Sequence, residues 1–208
     1  MSEQVAEIRQ YRGKRAIDMV LVTLATLLTL PLWVPVAIAI WMTDRGPLFF
    51  RQMRSGLHGE AFEVVKFRTM IVARPGDAAG WTVANDPRVT KVGKFLRRTA
   101  IDELPELLSI WRGDMSFVGP RALPVDEQRY LEGQIPDFAR RLDVRPGLTG
   151  LAQVYDLTDA PRTKLRYDLE YTTKISLALD IKIVALSVIN TFAARWDRRT
   201  GKEKELGP

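Results

Sequence analysis

Between Met19 and Met42 the chain carries no charge and is mostly apolar, and two prolines, Pro31 and Pro35, interrupt the run halfway. A straight helix of that length reaches about 36 Å at about 1.5 Å per residue, enough to cross a hydrocarbon core of about 30 Å. Inside such a helix Pro31 removes the bond to the Leu27 carbonyl, and Pro35 removes the bond to the carbonyl of Pro31. In lipid an orphaned backbone group costs several kcal/mol, so the break needs local compensation. The hydroxyls of Thr26 and Thr29 are near enough in sequence to supply it. Two geometries compete: a kinked single span, and a re-entrant helix–break–helix that enters and leaves by one leaflet. Arg9, Arg12, Lys14 and Arg15 precede the run, and Arg45, Arg51 and Arg54 follow it. Positive charge gathers on the cytoplasmic side of a membrane, and a single span would send one basic flank outward. A hairpin broken at Pro31 and Pro35 keeps both flanks inside, with each half of about 18 Å stopping partway through the bilayer. The charge pattern therefore favours the re-entrant form, and a plain kinked anchor remains the alternative.

The chain has 208 residues, so about 150 remain outside the apolar run and its flank, enough for one compact domain and hardly for two. The expected division is a membrane hairpin with its basic flank over residues 1–45 and one unit at the membrane interface over 46–208. There is no cysteine, hence no disulfide, thiolate metal site or cysteine nucleophile. The single His58 lies in a Gly-rich turn and cannot build a multi-histidine site. A net charge of +6 suits anionic headgroups, phosphorylated substrates or nucleic acid. The apolar run is too long for a secretory signal and lacks an A-x-A-like cleavage site.

The fold class expected is α+β and mostly helical. Residues 1–15 read as an interfacial helix start, with Asp18 paired to Lys14 or Arg15 one turn back. Residues 47–54 and 61–70 flank a Gly-containing turn and read as a β-hairpin. Residues 74–87 read as a surface loop, 88–98 as a short basic amphipathic helix, and a second helix runs from Ile101 to Gly113. Residues 114–124 read as loop, 126–142 as a helix interrupted near Pro136, and 145–150 as turn. Amphipathic helices at 162–174 and 177–194 close the chain, the last suited to lying on a membrane or closing a core.

The chemistry concentrates in Thr99-Ala100-Ile101-Asp102-Glu103-Leu104-Pro105. Pro105 is tolerated only in a first helical turn, which places the helix start near Ile101 and puts Asp102 and Glu103 at its positive end. That position favours an ionised carboxylate ready to attack or to hold a cation. The bland reading is a capping box, with Thr99 as cap and Asp102 at the third position. Lys66, Arg68, Lys91, Lys94, Arg97 and Arg98 lie upstream, and Arg121 and Arg145 lie downstream beside glycines and prolines. Arginine forks match phosphate oxygens, so the cluster suggests a site for polyphosphate and metal. No P-loop, G-x-G-x-x-G or D-x-D pattern occurs.

These blocks together resemble the monotopic bacterial phosphoglycosyl transferases, small sugar transferases that start membrane-linked glycan assembly. The matching stretches are KRAID at 14–18 with the proline-broken run, GPLFFRQMRSG at 46–56, FEVVKFRTM at 62–70 and DPRVTKVGKFLRRTAIDELPELL at 86–108. GDMSFVGPRAL at 113–123, RPGLTGLAQV at 145–154, YDLEY at 167–171 and LALDIKIV at 177–184 continue the order. The resemblance implies transfer of a sugar-1-phosphate from a UDP-sugar to polyprenyl (undecaprenyl) phosphate with release of UMP. It also implies Mg²⁺, a re-entrant helix broken at Pro31, and the cytoplasmic face of a bacterial inner membrane. Carried onto this chain, it makes Asp102 a nucleophile forming a covalent phosphosugar intermediate, with Glu103 its partner in metal binding or proton handling. Lys66, Arg68, Arg97, Arg98, Arg121, Arg145, Pro146, Gly147 and Asp168 fall in or beside the matching motifs and are expected near phosphates, metal or uridine. Three positions depart from the pattern: Glu106 stands where glutamine is common, Tyr155-Asp156-Leu157 where N-G-R often follows, and Leu30 where serine often precedes the proline.

A membrane-tethered basic binding protein, with Asp102 and Glu103 merely capping a helix, is the competing reading. Aromatic residues are sparse among the basic ones, which argues against single-stranded nucleic acid as a partner. Membrane lipids are expected partners, and the helix from Ile175 suits a homodimer contact.

Overall fold

The computed structural model describes residues 10–72, 86–156, 158 and 160–192. Most of the expected interfacial start at 1–15 and of the loop at 74–87 lies outside them. The apolar run forms α1, Lys14–Asp44, one helix that continues through Pro31 and Pro35, so the two expected halves are a single element. It is the one described helix long and apolar enough to cross a membrane. One stripe of it faces inward, with Val22 and Ile40 buried and Ala25, Trp33 and Val36 packed beside them. Leu24, Leu27, Leu28, Leu30, Val34 and Ile38 point outward and are exposed.

The expected threonine support does not reach the Leu27 carbonyl. Thr29 donates to Ala25 O at 2.7 Å, and Thr26 Oγ1 is buried without a partner among the described residues. A helical hydroxyl reaches back three or four residues, so Leu27 O would need a hydroxyl at 30 or 31, where Leu30 and Pro31 stand.

Both ends of α1 are bolted to the rest of the chain. Arg15 donates to Ile110 O at 2.6 Å and Trp111 O at 2.9 Å. Asp18 is not paired with Lys14 or Arg15, as the sequence suggested. It accepts from Ser116 Oγ at 2.8 Å and from Phe117 N at 2.9 Å, while Lys14 Nζ bonds Asp180 at 2.6 Å. Distant partners win because each buried charge needs a fixed counterpart, and the neighbouring cations already have theirs. At the other end Asp44 receives the Arg68 fork, two bonds of 2.5 Å.

The β-hairpin is present. β1 (Phe49–Ser55) and β2 (Ala61–Phe67) pair antiparallel from Phe49↔Phe67 to Ser55↔Ala61, and His58 sits in the turn at φ 53°. Trp33 of α1 meets the Phe67 ring edge-on at 5.4 Å. After α2 (Lys91–Arg98) come a 3-10 turn (Ile101–Glu106) and α3 (Leu107–Arg112), which ends at Gly113 with φ 95°. Residues read as loop and turn contain β3 (Ser116–Val118) and β4 (Gly147–Thr149), a parallel pair. Three-residue strands are too short to show alternation in sequence. Their approach needs glycine: a Cβ on Gly147 would lie 2.0 Å from Gly119 N. α4 (Val125–Gln134), a 3-10 turn (Phe138–Leu142), α5 (Leu151–Tyr155), α6 (Pro161–Lys174) and α7 (Leu177–Phe192) complete the described chain. Val118, Val144, Leu151, Tyr171 and Ile183 form the core that seats β3 and β4 against α7.

Candidate active site

The Asp102-Glu103 pair lies in a tight turn, not an α-helical one. Ala100 enters it in the left-handed region at φ 55°, and Glu103 N bonds back to Ala100 O at 3.2 Å. Pro105 fits because this short 3-10 segment asks little of its amide. The capping box is absent: Thr99 Oγ1 donates to Phe95 O at 2.9 Å and so closes α2 instead. Asp102 is therefore not a cap residue.

β2 runs beside this turn and delivers Lys66. Its Nζ lies 2.8 Å from Glu103 Oε1 and 2.8 Å from Glu106 Oε1, so one ammonium serves two carboxylates. Arg121, just beyond β3, adds a bond of 2.5 Å to the same Glu103 oxygen. Burial by itself would raise Glu103, but the charges of Arg121 and Lys66 outweigh it and hold the carboxyl below the ordinary range. The Arg121 guanidinium is raised in turn, by Glu103 foremost.

Asp102 is different. It is only 9% exposed, and among the described residues its carboxylate makes no hydrogen bond and no ion pair. Burial pushes it up to about 6, the neighbouring Glu103 charge adds to this, and Lys66, Arg121 and Arg97 oppose it. The helix end expected to keep Asp102 ionised is here a short 3-10 segment, and burial together with Glu103 shifts the carboxyl upward. What results is an oxygen pair with cations near but none attached, a poised nucleophile or ligand.

The other sequence-predicted residues divide. Arg97 lies beside Asp102, with Nε bonded to Thr69 Oγ1 at 2.9 Å. Arg98 is exposed on the outer face of α2, alongside Lys91, Lys94 and Phe95. Arg68 is committed to Asp44 and to Pro47 O, and so clamps the end of α1. Arg145 bonds Gly113 O at 2.9 Å and lies 3.5 Å from Gln10 Oε1. Pro146 O accepts Ser116 N, and Gly147 N donates to Pro120 O, so both serve the pairing that presents Arg121. Asp168 is 1% exposed and bonds Arg141 at 2.8 Å.

Arg141 and Arg54 escaped the sequence reading. Arg141 is fully buried, and Arg54 reaches Ala122 O at 2.7 Å behind Arg121. The partners of Arg141 lie 13 to 27 residues away and the Arg54 bond to Ala122 spans 68, so no local pattern marks these contacts.

Among the described residues no three carboxylates or histidines converge as a metal cage. Asp102 is unbonded and, among the described residues, nothing bonds Glu103 Oε2, which suits a Mg²⁺ ion. That ion is usually held by one or two carboxylates plus substrate phosphates and water.

The family described as Bacterial sugar transferase matches residues 9–194. The UDP-glucose:undecaprenyl-phosphate glucose-1-phosphate transferase of Caulobacter vibrioides is 42% identical over 181 residues, covering 84% of this chain and 68% of that protein. The protein of the same name in Escherichia coli is 41% identical over 185 residues, covering 86% of this chain but only 40% of its own length. The exopolysaccharide production protein PSS of Rhizobium leguminosarum is 38% identical over 188 residues, covering 85% of this chain and 94% of itself. The chain thus corresponds to well under half of the Escherichia coli relative and to nearly all of the Rhizobium one.

Proposed function

Because the chain belongs to the bacterial sugar transferase family, we propose that it moves a sugar-1-phosphate from a UDP-sugar to polyprenyl phosphate, releasing UMP. UDP-glucose and undecaprenyl phosphate come first for testing, since the relatives carry those names. The observation that carries the mechanism is the buried Asp102 carboxylate left without a bond while Glu103 takes both cations.

In the first step an Asp102 oxygen attacks the sugar-bearing phosphorus. The bond from that phosphorus to the UMP oxygen breaks, and UMP leaves with the electron pair. In the second step an oxygen of polyprenyl phosphate attacks the same phosphorus, and the Asp102 carboxylate departs unchanged. Splitting one displacement into two is the gain of a covalent nucleophile. Arg121, Lys66 and Arg97 compensate the charge on the phosphoryl oxygens, and Glu103 holds the first two in position beforehand. Asp102 and Glu103 would hold Mg²⁺, which when bound neutralises phosphate charge.

A monotopic seat on the cytoplasmic face is part of the proposal. Arg15 and Asp44 bind the same body, and Val22 and Ile40 both pack into it. A straight helix of this length spans about 45 Å, so one that crossed the bilayer would carry its far end away from that body. The basic flanks at both ends fit one leaflet. Together these support a seat with the reacting groups near headgroup depth, where the acceptor phosphate would lie.

The test uses purified protein in nanodiscs with Mg²⁺, undecaprenyl phosphate and a panel of UDP-sugars, scored by UMP release. With donor alone, intact mass should rise by one phosphosugar, and Asp102→Asn should abolish the rise. Turnover by Asp102→Asn near the wild-type rate would refute the covalent route.

A further inference from the structure

Arg141 has no exposed surface, a rare state for a charged residue unless it is fully paired. Each arm of its guanidinium serves a different element. Nε donates to Asp168 Oδ2 of α6 at 2.8 Å, and Nη1 donates to Gln128 Oε1 of α4 at 2.9 Å. Nη2 donates to the main-chain carbonyl of Arg121 at 2.7 Å. Asp168 and Gln128 are each 1% exposed, so the whole hub is shut away from solvent.

A brace between α4 and α6 would need only the first two bonds. The third grips the residue whose side chain reaches Glu103. Arg121 follows β3 and lies outside any regular ladder, joined to Gly147 by an isolated bridge.

We propose that Arg141 is a positioning residue, which fixes the Arg121 carbonyl from behind and so aims the Arg121 guanidinium at Glu103 and the reacting phosphate. Asp168 and Gln128 hold Arg141 in register and act through it. The proposal rests on the phosphosugar-transfer reading for the task of Arg121, but the geometry of the hub stands apart from it. A planar fork can serve three acceptors in fixed directions, and a lysine ammonium cannot. Misplacement by about 1 Å can cost about 100-fold in rate.

The experiment is a double-mutant cycle in the full chain. Arg141→Lys should lower UMP release at least about tenfold while the protein stays folded by circular dichroism. In Arg121→Lys, adding Arg141→Lys should cost little more, because the path through Arg121 is already broken. Hydrogen exchange over residues 119–123 should quicken in Arg141→Lys, with exchange in β1 and β2 unchanged. Multiplicative losses, full activity in folded Arg141→Lys, or unchanged exchange at 119–123 each overturn the proposal. Should Arg141→Lys fail to fold, Asp168→Asn and Gln128→Met run the same cycle with milder changes. If the wild type releases no UMP, the catalytic reading fails, and the exchange measurement alone decides whether Arg141 holds the Arg121 segment.

Discussion

Replacing Asp102 by asparagine should abolish activity and at the same time stabilise the fold. The reasoning starts from burial. Asp102 lies 9% exposed without a hydrogen bond, and burial together with Glu103 raises it from an ordinary 3.8 to about 6. The folded state therefore binds a proton more tightly than the unfolded chain does. Between pH about 4 and about 6 the folded protein holds more protons, so stability falls as pH rises through that window, and the loss is complete above it. At about 1.4 kcal/mol per pH unit the gap is about 3 kcal/mol, an order-of-magnitude figure.

Asparagine carries no charge and escapes that loss. Above pH 7, in metal-free buffer, Asp102→Asn should be more stable than wild type by up to about 3 kcal/mol. At about 2–4 °C per kcal/mol for a chain of this size, Tm should rise by about 6–12 °C. Near pH 4 the offset should shrink to well under about 1 kcal/mol, because aspartate is then neutral in the folded protein and about half ionised in the unfolded chain. The assay is a set of thermal melts in nanodiscs from pH 4 to 8 with EDTA, alongside UMP release with Mg²⁺. An Asp102→Asn protein that melts at or below wild type at pH 8, or with an offset independent of pH, refutes the view that this carboxylate is held at a cost.

Lys66→Met should destabilise by about 3–5 kcal/mol in chemical denaturation, since Glu103 and Glu106 would share one cation fewer in a buried site. Asp18→Ala should cost about 1–3 kcal/mol by leaving Ser116 Oγ and Phe117 N unpaired, and a Tm unchanged within error would contradict the anchoring role. The chain has no cysteine, so Arg12→Cys and Arg51→Cys can report topology. Both should react with an impermeant maleimide from the cytoplasmic side, and labelling from opposite sides rules out the one-leaflet seat.

Much of the site was legible because its parts are local. The hairpin showed as two runs flanking a Gly-containing turn, and Asp102-Glu103-Leu104-Pro105 announced a helix start by the limits of proline. The identity of the turn was not legible: whether a first turn is 3-10 or α depends on the left-handed Ala100, and alanine gives no sign of that. β3 and β4 stayed hidden because three residues carry no period. Arg68 and Arg97 look alike in sequence, yet one grips Asp44 and the other borders Asp102. Only tertiary partners separate them. For the same reason Asp18 seemed to belong with Lys14 and Arg15, where its actual partners lie 98 and 99 residues on.

The division of roles within the acidic pair follows from which oxygen meets which cation. If Lys66 and Arg121 bound Asp102 directly, the carboxylate would be ionised but occupied, and each turnover would have to break those contacts. Glu103 takes both cations on one oxygen instead. That keeps them fixed before any substrate arrives, so their reorganisation adds nothing to the barrier. It also leaves Asp102 raised and unbonded, with Arg97 near enough to favour its charge. Glu106 sharpens the arrangement by holding Lys66 in an ion pair beside its hydrogen bond to Glu103. On the proposed reaction, a diphosphate entering here would meet cations already held by Glu103 and a carboxylate with no bond to break. Such a site is one that folding alone would not favour, which is why the stability of Asp102→Asn is the measurement that probes it most directly.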